Sequence, residues 1–195
     1  MIEPRTRRVV GSATAAALVA TAAALVAAAV LSSAASAANA GTSVVAGAPC
    51  KTGELSGRFA VVPGSGGAGN IVYSLQVRNR SSHVCSVSGL PRLQLLGATG
   101  RALPTHVEPA FRGAGTAVIV YLSPGASAWA SARFTPDVSG PGEQTRGQCE
   151  PAAASVRATV GPVAAQLVAP VVPATPVCVS GRLSVSLLSR VKPTA

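Results

Sequence analysis

Acidic residues are scarce in this chain, and those present are scattered. Only six of the 195 residues are Asp or Glu, and Asp137 is the single aspartate. Glu54, Glu108, Glu143 and Glu150 lie far apart, in or near segments rich in turn-forming residues. A glycosidase needs two carboxylates that face one cleft, and the sequence nominates no such pair.

The short motifs of catalysis and metal binding are also missing. The chain has no G-x-S-x-G, no H-E-x-x-H and no C-x-x-C, the tight-turn pair that structural zinc sites use. Its two histidines are His83 and His106. A triad of either one with Asp137 and a serine stays open as an alternative, since triad members need not be neighbours in sequence. We expect no enzyme activity, no catalytic residue, no metal and no cofactor.

A helical period is absent after residue 40, whereas residues 1–40 have the pattern of a secretory signal. Three arginines in MIEPRTRR precede an apolar run at 9–31, and SSAASAANA then offers two A-x-A cleavage sites. The mature chain is expected to start at Ala38 or Gly41. The alternative is an uncleaved N-terminal hydrophobic helix, because the run at 9–31 is 23 residues long and about 20 predominantly apolar residues suffice to span a bilayer.

The remaining chain is long enough for one domain. We divide it into a linker at 41–49, a β domain at 50–190 and a C-terminal tail at 191–195. Short apolar or alternating segments separated by Gly, Pro and Ser predict strands at 58–62, 71–77, 91–96, 117–122, 127–134, 155–160, 165–172 and 182–188.

These strands predict an all-β fold, an antiparallel sandwich of about 7–9 short strands. IVYSLQV at 71–77 alternates cleanly and predicts a strand with one buried face. AVIVYL at 117–122 is apolar on both sides and predicts a central strand. The glycines of GSGGAGN match G-x-G-x-x-G, but a strand rather than a helix follows them, so they predict a hairpin loop.

All four cysteines follow the signal segment, and an even number in an exported chain predicts two disulfides. His83 and Cys85 stand two apart and could start a metal site, but the exported setting favours oxidised sulfur. If the first two strands are antiparallel, Cys50 and Cys85 meet at one end of the sandwich. A return strand at 165–172 brings Cys149 towards Cys178 in the same way. This pairing is one of three possible.

Basic residues outnumber acidic ones, with 14 Arg and 2 Lys in the whole chain. Without residues 1–40 the formal charge is +8, spread along the chain without a basic block. Weak attraction to anionic envelope polymers is therefore an alternative to a merely solvated surface. Exposed Trp and Arg are favoured at recognition surfaces, so the candidate binding residues are Trp129, Arg133, Arg112 and Arg101. We expect no nucleic-acid partner.

Four segments occur in an order that resembles a known family: IVYSLQVRN, CSVSGLPRLQL, VYLSPGASAWA and CVSGRLSV. With the four cysteines, they resemble the secreted actinobacterial domain of unknown function 4232 over about residues 49–190. Leu90 departs from an aromatic often found there, and the strand ending in Phe134 lacks the usual tryptophan. The resemblance implies an immunoglobulin-like sandwich in the envelope of high-GC Gram-positive bacteria. It implies no established activity.

The hypothesis that follows is a secreted or envelope-associated, non-catalytic β-sandwich module. An alternative is a binder of anionic envelope polymers or of a small ligand, and a hydrolase ranks third. The partner would be such a polymer or an envelope protein, and membrane contact would occur only through residues 9–31, if they are retained.

Overall fold

A computed structural model describes residues 47–111, 113 and 118–195, and this part of the chain is all-β. Its elements are β1 (Leu55–Val61), β2 (Ile71–Asn79), β3 (Cys85–Ser88), β4 (Arg92–Leu96), β5 (His106–Pro109), β6 (Ile119–Leu122), β7 (Ser127–Phe134), β8 (Ala153–Val160), β9 (Ala165–Thr175), the single turn α1 (Cys178–Gly181) and β10 (Arg182–Val185). The predicted signal or anchor at residues 1–40 lies outside the described residues. Within them, no helix is long and apolar enough to cross a membrane.

Eight strands form one large sheet in the order β4-β8-β9-β1-β2-β7-β10-β5, and β3 pairs with β6 in a small second sheet. The pairs β1–β9 and β5–β10 are parallel, and the other neighbours are antiparallel. The large sheet is nearly closed, because the segment that leads from β4 to β5 folds back on β4. Thr105 Oγ1 there accepts hydrogen bonds from Leu95 N and Gln94 Nε2, each at 3.0 Å.

Each of the eight predicted segments overlaps an observed strand, whereas β3 and β5 were not predicted. Both are only four residues long, so each offers at most two apolar positions on which a pattern could be recognised. β3 reads CSVS, and β5 reads HVEP with three exposed residues. The described residues therefore contain ten strands, more than the seven to nine expected.

The prediction that 117–122 forms a central strand is wrong. In the described part of this segment, Ile119–Leu122 is a strand, and it pairs on one edge with β3 in the small sheet. Val118 and Ile119 are 56% and 57% exposed. An apolar run is compatible with a central strand, but it does not show whether the strand pairs with a neighbouring strand on one edge or on both.

The core is built by the inward faces of the large sheet, as the alternation in β2 and β7 predicts. Tyr73 on β2 packs between Phe59 and Phe134, with ring centroids 5.2 and 5.1 Å apart. The inward positions of β7 before Phe134 are alanines, which leave room for these rings. The Tyr73 hydroxyl donates to the Pro173 carbonyl at 2.9 Å, and burial raises the pKa of this phenol. It therefore stays neutral and hydrogen-bonded in the core.

Two disulfides cross-link the domain, and their pairing is the one that strand direction predicts. Cys50 is bonded to Cys85 with Cα atoms 4.9 Å apart, and Cys149 to Cys178 with Cα atoms 5.6 Å apart. The antiparallel pairing of β1 with β2 returns the chain to the end of the sheet where Cys50 lies. In the chain-entropy model, loops of this size stabilise the fold by about 3–4 kcal/mol each.

Candidate binding groove on the outer face of the sheet

The outward side chains of β1, β2 and β7 are aligned in rows that run across the strands. The sheet register sets these rows, since directly opposed side chains lie about 5 Å apart. Outward positions alternate with the buried ones along each strand. The first row is Arg58, Gln76 and Trp129, and the second is Ala60, Ser74 and Ser131.

A cavity of about 250 Å³ lies over these rows. We call it the outer groove and define it by Arg58, Ser74, Gln76, Trp129 and Lys192. The second row supplies a floor of small side chains, while the longer side chains of the first row form one wall. The groove therefore arises from the contrast between small and large residues in adjacent rows.

Lys192 reaches the groove because the chain after β10 continues along β7. Ser189 and Trp129 exchange two backbone hydrogen bonds, at 2.8 and 2.9 Å. Arg190 then donates to the Tyr121 carbonyl at 2.6 Å. The following tail passes over the outer face, where Pro193 borders both the outer groove and a second cavity of about 430 Å³.

Ser74 carries an unsatisfied polar atom at the floor of the outer groove. Its Oγ is buried and has no hydrogen-bond partner among the described residues. Buried hydroxyls almost always have a partner, and leaving one unpaired costs about 1–3 kcal/mol. Its neighbours across the strands, Ala60 and Ser131, are small, and Ser74 is one of the residues that line the groove.

On the outer face, the strands β1, β2 and β7 carry charges of positive sign only. Arg58, Arg78 and Arg133 are exposed on β1, β2 and β7, and these strands contain no acidic residue. Lys192 adds a fourth cation from the tail. Charges of one sign that line a concave surface raise the local concentration of oppositely charged ligands.

The four candidate binding residues have different locations in the structure. Trp129 and Arg133 lie on the outer side of β7, four residues and about 13 Å apart. Arg133 borders the second cavity. Arg101 is exposed in the turn between β4 and β5, and Arg112 lies outside the described residues.

Four members of the outer groove were missed by the sequence analysis. Ser74 and Gln76 had a signal, because they occupy the polar side of the alternating segment 71–77. Arg58 and Lys192 had none, since their positions depend on strand register and on the path of the tail.

The histidines are at the surface and belong to different elements. His83 precedes β3, and its Nε2 lies 3.4 Å from Oε1 of Glu54. His106 is exposed on β5, and Asp137 is exposed after β7. Within the described part of the chain, His83–Glu54 is the one imidazole–carboxylate pair, and its histidine side chain is 59% exposed.

Glu143 organises the region around the second disulfide. Its carboxylate accepts hydrogen bonds from the backbone N–H groups of Ser180, Gly140 (2.6 Å) and Val179 (2.9 Å). Val179 and Ser180 are left-handed, with φ of 58° and 57°, so the carboxylate anchors a strained turn. These donors, Ser180 first, lower the pKa of Glu143.

This carboxylate and the sulfurs of Cys149 and Cys178 lie within 4.8 Å of one another. Metal binding requires thiolates, and these two sulfurs are joined in a disulfide. The cluster therefore offers a metal one carboxylate only.

Glu143→Gln is expected to reduce stability at neutral pH and to flatten its acid dependence. The pKa of Glu143 in the folded chain is below its ordinary value of 4.5. Between these two pKa values the unfolded chain therefore binds more protons than the folded chain. The stabilisation is present above about pH 5 and is lost as the pH falls through the lowered pKa. Urea unfolding at a series of pH values measures this. Glu150→Gln is the control, because it removes the same charge beside Cys149 from a side chain that has no hydrogen bond among the described residues, and it should change the stability at neutral pH much less.

The fold and the groove define a disulfide-stabilised all-β domain with an open, cationic outer face. The chain belongs to the family described as "Domain of unknown function (DUF4232)", whose model matches residues 50–189. No curated protein and no solved structure matches the chain. Disulfides persist in oxidising compartments, so the two bridges indicate an extracytoplasmic location.

Proposed function

We propose that this chain is an exported, non-catalytic binding module of the bacterial cell envelope, and that its binding surface is the outer face of β1, β2 and β7. The observation that carries the proposal is the outer groove, which combines Trp129 with cations and with the unpartnered hydroxyl of Ser74. A concave site with an aromatic side chain and a few polar groups is typical of ligand recognition.

Export is supported by the signal pattern of residues 1–40 and by the two disulfides. An excess of Arg over Lys, 14 to 2, suits an actinobacterial origin. The non-catalytic role is supported by the scattered surface positions of His83, His106 and Asp137 in the described part of the chain.

We also infer that the large sheet forms an immunoglobulin-like sandwich. Only two residue pairs, Phe59–Val171 and Ala60–Val172, join the β4-β8-β9 group to the other five strands. A strand such as β9, which pairs in both groups, is how sandwiches turn a corner between layers. An experimental structure with one round barrel instead of two facing layers would contradict this assignment.

Export and envelope association are expected when the full chain is expressed in an actinobacterial host. The exported protein should begin at Ala38 or Gly41 in N-terminal sequencing. It should co-sediment with isolated envelopes, and less so as salt screens the charges of the outer face. Intact protein retained in the cytosol would contradict the proposal.

The same envelope incubation tests the non-catalytic role. No soluble sugar or peptide fragment should be released, and His83→Ala or His106→Ala should change nothing. Release of fragments that either substitution abolishes would establish a hydrolase instead.

A further inference from the structure

We propose that the outer groove binds one acidic sugar unit of an anionic envelope polysaccharide. This inference rests on the proposed binding function and names the ligand for the same surface. It is carried by three features of the groove: one aromatic side chain, one orphaned hydroxyl, and cations without a nearby acid.

The aromatic side chain is Trp129, which is partly buried and stands in the row with Gln76 and Arg58. An indole offers a broad apolar surface and a single N–H donor. The ring of a sugar has the complementary pattern, with C–H groups on its faces and hydroxyls around its edge. The Gln76 amide, whose Nε2 donates to Ser127 Oγ at 3.0 Å, still has its carbonyl oxygen to accept from such a hydroxyl.

The orphaned hydroxyl is that of Ser74, which lies in the second row, next to the row that contains Trp129. A hydroxyl can donate one hydrogen bond and accept two, and Ser74 Oγ has no partner among the described residues. A purely apolar ligand would leave it unpaired. A sugar hydroxyl or carboxylate that reaches the floor of the groove would satisfy it.

The charges select an acidic sugar over a neutral one. Arg58 and Lys192 border the groove, and no acidic residue lines it. The guanidinium fork of arginine matches a carboxylate with two parallel hydrogen bonds.

The dimensions favour one unit of a chain. The groove, at about 250 Å³, is small beside typical drug-sized sites of roughly 300–1,000 Å³. The second cavity, bordered by Arg133, adjoins it across Pro193. It offers the next acidic unit a cation of its own.

Trp129 is the only tryptophan of the chain, so its fluorescence reports on the groove directly. The exported protein is titrated with trigalacturonate, an acidic trisaccharide, and with neutral maltotriose. Trigalacturonate should change the emission saturably, and maltotriose should not. Arg58→Gln should weaken the affinity about tenfold, because it removes a charge-assisted pair. Arg157→Gln removes the same charge from β8, which does not border the groove, and should leave the affinity unchanged.

Ser74→Ala separates recognition from folding. It should weaken trigalacturonate binding by about threefold. It should not lower the thermal midpoint, since it removes a group that is unsatisfied in the free protein. A lowered midpoint with unchanged affinity would contradict the assigned role of Ser74.

Failure of the ligand assignment is distinguishable from failure of the binding function. If the protein binds envelopes but not trigalacturonate, the acidic-sugar inference is wrong and the binding function stands. If it binds neither, both are wrong. Phosphatidylglycerol vesicles provide a further test. If the protein binds them as tightly as trigalacturonate, and if Ser74→Ala does not change that binding, the outer face is a charged surface for lipids and the inference is wrong.

Discussion

Gly181→Ala is expected to destabilise the domain by more than about 4 kcal/mol, since it combines backbone strain with a clash against main-chain atoms. Gly181 has φ of +73° and immediately precedes β10. A β-carbon at this position would overlap the Pro104 carbonyl and approach Thr105 N to 2.9 Å. Neither backbone atom can move without displacing β5, which pairs with β10 from Arg182–His106 onwards.

Gly142→Ala is the matched control for this experiment. Gly142 has φ of +82°, but a β-carbon there would meet no atom within 4 Å. It should cost only the strain of a left-handed alanine, about 1–2 kcal/mol. In thermal unfolding, the midpoint of Gly181→Ala should lie at least about 10 °C below that of the wild type. The midpoint of Gly142→Ala should lie between those of the wild type and Gly181→Ala. Equal midpoints for the two variants would show that β5 and β10 do not approach so closely.

Asn79→Asp is expected to cost at least about 3 kcal/mol, because it removes the amide donor that two carbonyls share and introduces a charge at a buried position. Asn79 is fully buried at the end of β2. Its Nδ2 donates to the carbonyls of His83 (2.7 Å) and Leu122 (2.9 Å), and its Oδ1 accepts from the N–H and Oγ of Ser81. An aspartate would place oxygens against both carbonyls and bury a charge.

This side chain joins the large sheet to the small one, since Leu122 ends β6 and His83 leads into β3. Asn79→Ala should therefore also destabilise the domain, by about 2–4 kcal/mol, because the carbonyls of His83 and Leu122 each lose a donor and only that of His83 keeps another, Ser81 Oγ at 3.1 Å. Asn70→Ala is the control, because Asn70 makes one surface hydrogen bond at 3.2 Å to the Ala68 carbonyl. Urea unfolding of the three variants checks the order, and an Asn79→Ala variant as stable as Asn70→Ala would refute it.

Local patterns were sufficient to predict much of the fold. The alternation of 71–77 correctly predicted β2 as a strand with one buried face, and 127–134 was correctly predicted as a strand, β7. The antiparallel return of β2 on β1 was enough to pair Cys50 with Cys85. The small sheet could not be predicted, because the four residues of β3 are too few for their alternation to mark a strand, and their pairing with β6 is long-range.

The candidate site could be predicted only in part, for a physical reason. Trp129 and Arg133 were nominated by residue type, and the spacing along β7 places them on one face. The groove also needs Arg58 opposite Gln76, which depends on register, and Lys192, which depends on the pairing of Ser189 with Trp129. Long-range pairing of this kind leaves no local mark on the sequence.

Chemical-shift mapping of the isotope-labelled protein tests the assigned binding face directly. The titrant is the soluble anionic polymer released from isolated envelopes. The largest shifts should be those of the Trp129 indole N–H and the Gln76 side-chain amide, with smaller ones at Ser74 and Arg133. Shifts concentrated at Arg101 or His106, with the Trp129 and Gln76 signals unmoved, would contradict the assignment of the outer face of β1, β2 and β7 as the binding surface.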